Sequence, residues 1–222
     1  MKTIEIELRY EVLDATKLAN FLAPLQFLHT KHVIDIYLDT PDIILYRQGI
    51  FARVRNGKKL DIKFNRACLN DPTLRRQDYC EEHSFALPFE KKDLTRLNEL
   101  LISLDMQPTT TADFESFKKI NNIGTHYIID KVRSSYQSKQ FTIAVDEIAG
   151  LGTFLEIELM AKNTDNLDVV KNEMRLALAG LPIQPLRAGY CELFLKKNLS
   201  KDYLQGRFVQ QEDIKHAVLP KN

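Results

Sequence analysis

Ile4-Glu5-Ile6-Glu7-Leu8-Arg9 alternates apolar and charged residues with the two-residue period of a β-strand. Ile4, Ile6 and Leu8 therefore share one face, and Glu5, Glu7 and Arg9 the other. Phe154-Leu155-Glu156-Ile157-Glu158-Leu159 repeats the device far downstream, again with two carboxylates two residues apart. The same period places Arg53 with Arg55 in Phe51–Arg55, Lys63 in Leu60–Phe64, and Lys131 with Arg133 in Ile129–Arg133.

Around these segments the pattern predicts the rest of the chain. The opening strand runs over 3–12, and Asp14 caps a short helix whose stripe is Leu18, Phe21, Leu22 and Leu25. A strand over 33–39, with Asp35 or Tyr37 turned inward, ends at Asp39-Thr40-Pro41-Asp42, which has the composition of a turn or short helix start. Strands over 50–55 and 59–65 flank Asn56-Gly57, a strong hairpin signal. A strand over 76–86 puts Asp78, Cys80, Glu82 and Ser84 on one face. Helical spacing then takes over across 90–104 and 111–120. Strands over 125–135, 141–147 and 152–160 form a meander. Asp165 caps a helix carrying Leu167, Val170, Met174 and Leu178. Residues 190–197 read as a last strand or helix turn, and 200–222 as a polar tail with a short helix near 212–218.

The expected class is α+β, with about eight strands, most of them apolar on one side and charged on the other. An open sheet with its charged face in water would need nothing more. Closed into a barrel, the same strands would turn their charges into one lumen, where each charge must be paired, solvated or matched by a ligand. Acids alone would call for a metal and bases alone for an anion. Both kinds together suit a polyanion bridged by a divalent cation.

Composition narrows the partners. The chain has 222 residues and a formal charge of +1, with Lys and Arg spread among Asp and Glu, which argues against nucleic acid. Cys68, Cys80 and Cys191 are far apart and read as reduced thiols. His29 and His32 sit three apart, without the further ligands that zinc would require. No apolar run reaches the roughly 18 residues of a membrane span, and none has the length of a signal peptide. The expectation is a cytoplasmic protein with no membrane partner, monomer or homodimer.

Glu5-Ile6-Glu7-Leu8-Arg9 resembles the Glu-x-Glu-x-Lys signature of the CYTH superfamily, the triphosphate tunnel metalloenzymes. Tyr37–Asp42 followed by Gly49–Arg55 is similar to that family's Arg-x-Arg region, and Asp130–Tyr136 to its Lys-x-Arg strand. Val145–Glu147 through Gly150–Glu158 resembles its aspartate, glycine turn and second acidic pair. The resemblance covers about residues 3–197 in order, within a domain expected over 1–199 and followed by the tail, 200–222.

It implies a closed antiparallel eight-stranded β-barrel, the tunnel, with flanking helices, acting on a triphosphate with Mg2+ or Mn2+. Carried over by position, it implies Glu5, Glu7, Asp146, Glu156 and Glu158 at the metal. Arg9, Arg53, Arg55, Lys63, Lys131, Arg133 and Arg187 would bind the triphosphate, although Ala188-Gly189-Tyr190 departs from the family's Ser-Tyr pattern beside Arg187. Glu5, Glu7, Arg9 and Glu82 are the catalytic set. Arg9 stands where the family has lysine; an arginine stays protonated and is a poor base, so Arg9 is expected to clamp phosphate while Glu5, Glu7 or Glu82 takes the proton from water. Three activities fit these residues: hydrolysis of inorganic or organic triphosphate, class IV-type cyclisation of ATP to cyclic AMP and pyrophosphate, and triphosphate or polyphosphate binding without turnover.

Overall fold

The computed structural model describes residues 3–71, 73–74, 80–162, 166–210 and 212–214, with the side chains of 3–5 and 161–162 outside that description. Nine strands form one antiparallel series: β1 (Thr3–Val12), β2 (Gln26–Asp39), β3 (Phe51–Arg55), β4 (Lys59–Phe64), β5 (Glu81–Ala86), β6 (Gly124–Ser138), β7 (Phe141–Ile148), β8 (Gly152–Lys162) and β9 (Ile183–Pro185). Their hydrogen-bonding order is β5-β4-β3-β2-β6-β7-β8-β1-β9. The chain divides into two units, one of residues 1–33 and 130–189, the other of residues 34–129 and 190–222, and β2 and β6 pass from one into the other.

The first unit contains β1, β7, β8, β9, the start of β2 and most of β6, with α1 (Ala15–Leu22) and α6 (Leu167–Ala177). Asp14 accepts from the Lys17 amide at 2.9 Å and starts α1 as expected. Asn166 starts α6, accepting from the Asp168 and Val169 amides; Asp165, expected in that role, lies outside the described residues. The apolar faces of β1, β7 and β8 meet both helices in a core built on Ile6, Tyr10, Leu18, Ile143, Leu155, Ile157 and Met174.

The second unit contains β3, β4, β5, the end of β2 and the start of β6. It also contains α2 (Ile44–Gln48), α3 (Arg66–Asn70), α4 (Leu94–Ser103), α5 (Phe114–Ile120), α7 (Tyr190–Asn198) and α8 (Ser200–Tyr203). Asn56 and Gly57 both have positive φ, 50° and 66°, as a tight hairpin turn requires, and they join β3 to β4. Leu60, Ile62, Phe64, Phe85, Leu97, Leu101 and Phe117 form this unit's core. Residues 200–210, placed in the tail by the sequence reading, carry buried Tyr203, Phe208 and Val209, and the Arg207 guanidinium donates to the carbonyls of Cys68, Asp71 and Leu74.

Several expectations are corrected. The closed eight-stranded barrel is not borne out: among the described residues nine strands make one sheet that does not close, with β5 beside β4 at one end of the order and β9 beside β1 at the other. β9 is three residues long, and Pro185 within it has no N–H to extend a ladder. β2 starts at Gln26, seven residues before the predicted strand, because His29-Thr30-Lys31-His32 is too polar to show a strand's apolar alternation. Of the strand predicted over 76–86, residues 76–79 lie outside the described residues, and Glu81–Ala86 is strand. Of the two alternatives for residues 190–197, strand or helix turn, the helix is what forms, over Tyr190–Asn198. Of the helix predicted near 212–218, residues 212–214 are helical and the rest lie outside the described residues.

Candidate functional site

The register of the first unit gathers its charges on the face opposite the core. Arg9 stands opposite Glu156, Glu7 opposite Glu158, and Arg133 opposite Asp146. Side chains alternate along each strand, so these positions share one side of β6, β7, β8 and β1. Lys131 Nζ donates to Asp146 Oδ2 at 2.9 Å, and Arg133 Nε to Asp146 Oδ1 at 2.7 Å. Arg133 also donates to Glu156 and, at 3.3 Å, to Glu158 Oε1. Arg9 donates from Nε to Glu156 Oε1 at 2.7 Å and is ion-paired with Glu7. One arginine thus ties both acidic motifs together.

Burial makes these bonds matter. Asp146 is fully buried and Glu156 is 4% exposed, so either carboxylate would be strongly destabilised without its cations. Burial pushes the Glu156 carboxyl up, but Arg9, Arg133 and Lys131 outweigh it and hold the group well below the usual carboxylate range. The Lys131 ammonium is pushed down by its own burial and by Arg133 beside it, and Asp146 and Glu156 offset only part of that.

The second unit repeats the arrangement with other residues. Arg55 stands opposite Asp35, and Arg53 opposite Tyr37 and Asp61. Arg55 donates from Nε and Nη2 to the two Asp35 oxygens at 2.7 and 2.8 Å. The Arg53 guanidinium reaches Asp35 at 3.5 Å, Asp61 at 3.3 Å and Glu82 at 3.3 Å. Ser84 Oγ donates to Asp61 at 2.6 Å, and Lys59 Nζ lies 3.1 Å from the same carboxylate. Lys63 is on this face, opposite Glu82, and has no ion-pair partner among the described residues.

The expected residues therefore fall into two groups. Glu7, Arg9, Lys131, Arg133, Asp146, Glu156 and Glu158 are linked in the first unit; Arg53, Arg55 and Glu82 are linked in the second. Glu5 lies on β1 opposite Met160, and its side chain is outside the described residues. Arg187 is exposed on the bend after β9, beside Leu186, whose amide donates to the Arg9 carbonyl at 2.9 Å. Asp61 and Lys59 were not singled out from sequence, Ser84 was placed only on the face of Glu82, and Asp35 was one of two inward candidates. Parity held the signal for Asp61, since the reading that selects Lys63 on β4 selects Asp61 and Lys59 with it.

Two surface cavities of the second unit, of about 370 and 390 Å³, share Pro41 and His126 in their walls. None of the expected site residues lines either one.

Comparison with known sequences decides the family. A sequence model of the CYTH domain matches residues 3–185. The chain belongs to the CYTH domain family. A protein of Methanocaldococcus jannaschii, named as a candidate adenylate cyclase, is 25% identical over 198 residues, covering 86% of this chain and 98% of its own. A solved structure from Pyrococcus horikoshii resembles this CYTH chain with a TM-score of 0.58 at 20% identity, covering 88% and 100% of the two chains. That of a candidate adenylyl cyclase from Hippeastrum with a dominant triphosphatase activity gives 0.57 at 19% identity, covering 88% and 96%. The structural likenesses show a shared fold. The Methanocaldococcus and Hippeastrum proteins carry names for adenylate cyclase, and the Hippeastrum protein for triphosphatase activity as well.

The acids of this CYTH chain suit a hard divalent cation in donor chemistry, since Glu7, Glu156 and Glu158 present carboxylate oxygens from paired strands. Among the described residues no group of three or more His, Cys, Asp or Glu already stands in a ligating arrangement. Arg9 and Arg133 are bonded to these carboxylates instead.

Proposed function

We propose that this protein hydrolyses a triphosphate in a metal-dependent reaction. The observation that carries the reading is the Arg9–Glu156–Arg133–Asp146–Lys131 network: three cations fixed by buried carboxylates on one side of four paired strands. Phosphoryl transfer demands mainly positioning and charge stabilisation, which fixed guanidinium and ammonium groups supply. Guanidinium forks suit phosphate oxygens, and Lys131 adds a point charge. Arg53, Arg55 and Lys63 are assigned to phosphate binding on the same grounds, with Arg187 as an exposed addition.

Glu7, Glu156 and Glu158, with Glu5 and Asp146, would hold Mg2+ or Mn2+. Such an ion, when bound, neutralises phosphate charge and acidifies water. Glu7 takes the proton from the attacking water, with Glu5 and Glu82 as the other carboxylates for that role. Arg9 stays protonated and binds the phosphate chain rather than acting as base.

The test is incubation of the purified protein with inorganic triphosphate, thiamine triphosphate and ATP, with Mg2+ or Mn2+, resolving orthophosphate, pyrophosphate and cyclic AMP. Orthophosphate release from a triphosphate is expected. The relative named as an adenylate cyclase supports a second reading, and cyclic AMP with pyrophosphate from ATP would establish it in place of the first. Tight triphosphate binding with no product would leave a binding module.

A further inference from the structure

Acids and bases of the first unit's cluster pair with one another. Among its described residues, Glu7, Asp146, Glu156 and Glu158 are engaged by Arg9, Lys131 and Arg133. Arg9 is the member that touches both acidic motifs, Glu7 on its own strand and Glu156 on the facing one. The oxygens a metal would need are therefore occupied by a side chain that a triphosphate would also need.

We propose that Arg9 is an internal counter-cation that excludes a divalent metal from Glu7 and Glu156 until a triphosphate draws its guanidinium away, so that metal and triphosphate bind this cluster with positive coupling. The inference rests on the triphosphate reading above and adds an order of events to it. A metal alone must break the bond between Arg9 and Glu156 and then sit beside a displaced guanidinium in a half-buried place, where like charges repel strongly. A triphosphate alone must take cations from Glu156, which is 4% exposed, and leave a buried carboxylate without its partners. Together, the metal supplies the charge that Glu7 and Glu156 lose, and the phosphates supply the charge that Arg9 loses. By linkage each ligand must then raise the other's affinity by the same factor.

The experiment is Mn2+ titration of the purified protein, followed by electron paramagnetic resonance, with and without a non-hydrolysable imido-bridged triphosphate. Wild type is expected to bind Mn2+ alone weakly and about tenfold or more tighter with the analogue present. Arg9→Gln is expected to bind Mn2+ alone at least about fivefold tighter than wild type and to lose most of the coupling. Arg9→Gln that is folded by circular dichroism yet binds Mn2+ no tighter would overturn the role of Arg9 and leave the proposed function standing. If Arg9→Gln does not fold, the wild-type measurement decides, since equal Mn2+ affinity with and without analogue overturns the coupling. No Mn2+ binding under either condition would overturn both this inference and the metal-dependent function.

Discussion

Asp35 on β2 and Arg55 on β3 face each other in register, and both carboxylate oxygens accept from the one guanidinium, at 2.7 and 2.8 Å. Asp35 is 2% exposed and also lies 3.5 Å from Arg53. It therefore fixes the direction of two arginines on a single strand. Asp35→Asn keeps the shape but removes the charge and half the acceptors. We expect KM for triphosphate to rise about tenfold with kcat changed less, and stability in urea to fall by about 1–3 kcal/mol. An unchanged KM would show that Asp35 does not position these groups.

Arg9 is the chain's departure from the lysine of the family signature. If a lysine here helps to activate water, Arg9→Lys is expected to raise kcat by on the order of tenfold, a modest share of what a general base contributes. Its pH–rate profile should gain a basic limb that the wild type lacks, with KM little changed. Steady-state kinetics on inorganic triphosphate across alkaline pH would check this, and identical profiles for the two proteins would discard the idea.

Glu156 makes folding sensitive to acid. Its carboxyl is raised by burial but lowered further by Arg9, Arg133 and Lys131, so it titrates well below the unfolded value of about 4.3. A depressed folded pKa means that the unfolded chain binds the proton first. The group's contribution is thus full above about pH 4.3 and is lost as pH falls from there through the folded value. Urea midpoints measured from about pH 7 down to about pH 3 should fall on the acid side. Glu156→Gln should lower stability at neutral pH and flatten the acid slope; a parallel acid slope in the two proteins would refute the assignment.

Gly206 and Gly49 let the C-terminal segment pack closely against Tyr46 and α2 within the second unit. A Cβ on Gly206 would lie 2.4 Å from the Tyr46 ring, and Tyr46 is 3% exposed with little room to move. A Cβ on Gly49 would lie 2.8 Å from the Phe208 ring, at a φ of 79° that disfavours other residues. Each glycine-to-alanine change is expected to cost about 1–3 kcal/mol in urea unfolding. Limited proteolysis should then release the residues after Leu199, whereas wild-type resistance in both variants would show that the packing tolerates the methyl group.

Much of the site was legible because β-structure writes its two faces into alternate positions. Glu7 and Arg9, Glu156 and Glu158, Arg53 and Arg55, and Lys131 and Arg133 could each be read from a two-residue spacing, and family resemblance assigned them roles. Their partners could not. Asp35 lies twenty residues from Arg55, Asp61 eight from Arg53, and Glu156 147 from Arg9. Nothing local distinguishes Asp61 from a solvated aspartate until β4 pairs with β3 and β5 and Ser84 closes over it. The short strand β9 was also illegible, since three residues preceded by Pro182 and ending in Pro185 carry too few positions to show a period.

The sequence by itself determined which residues share a face, where most strands and helices begin, and that the polar faces mix acid with base. Those properties depend only on backbone periodicity and on local capping. Tertiary structure decided the register that places Arg9 against Glu156 and Arg133 against Asp146, and it left the sheet open where a closed barrel was expected. Register and closure depend on contacts between distant segments, and on whether an edge strand can offer further N–H groups, neither of which is encoded in any single stretch of chain.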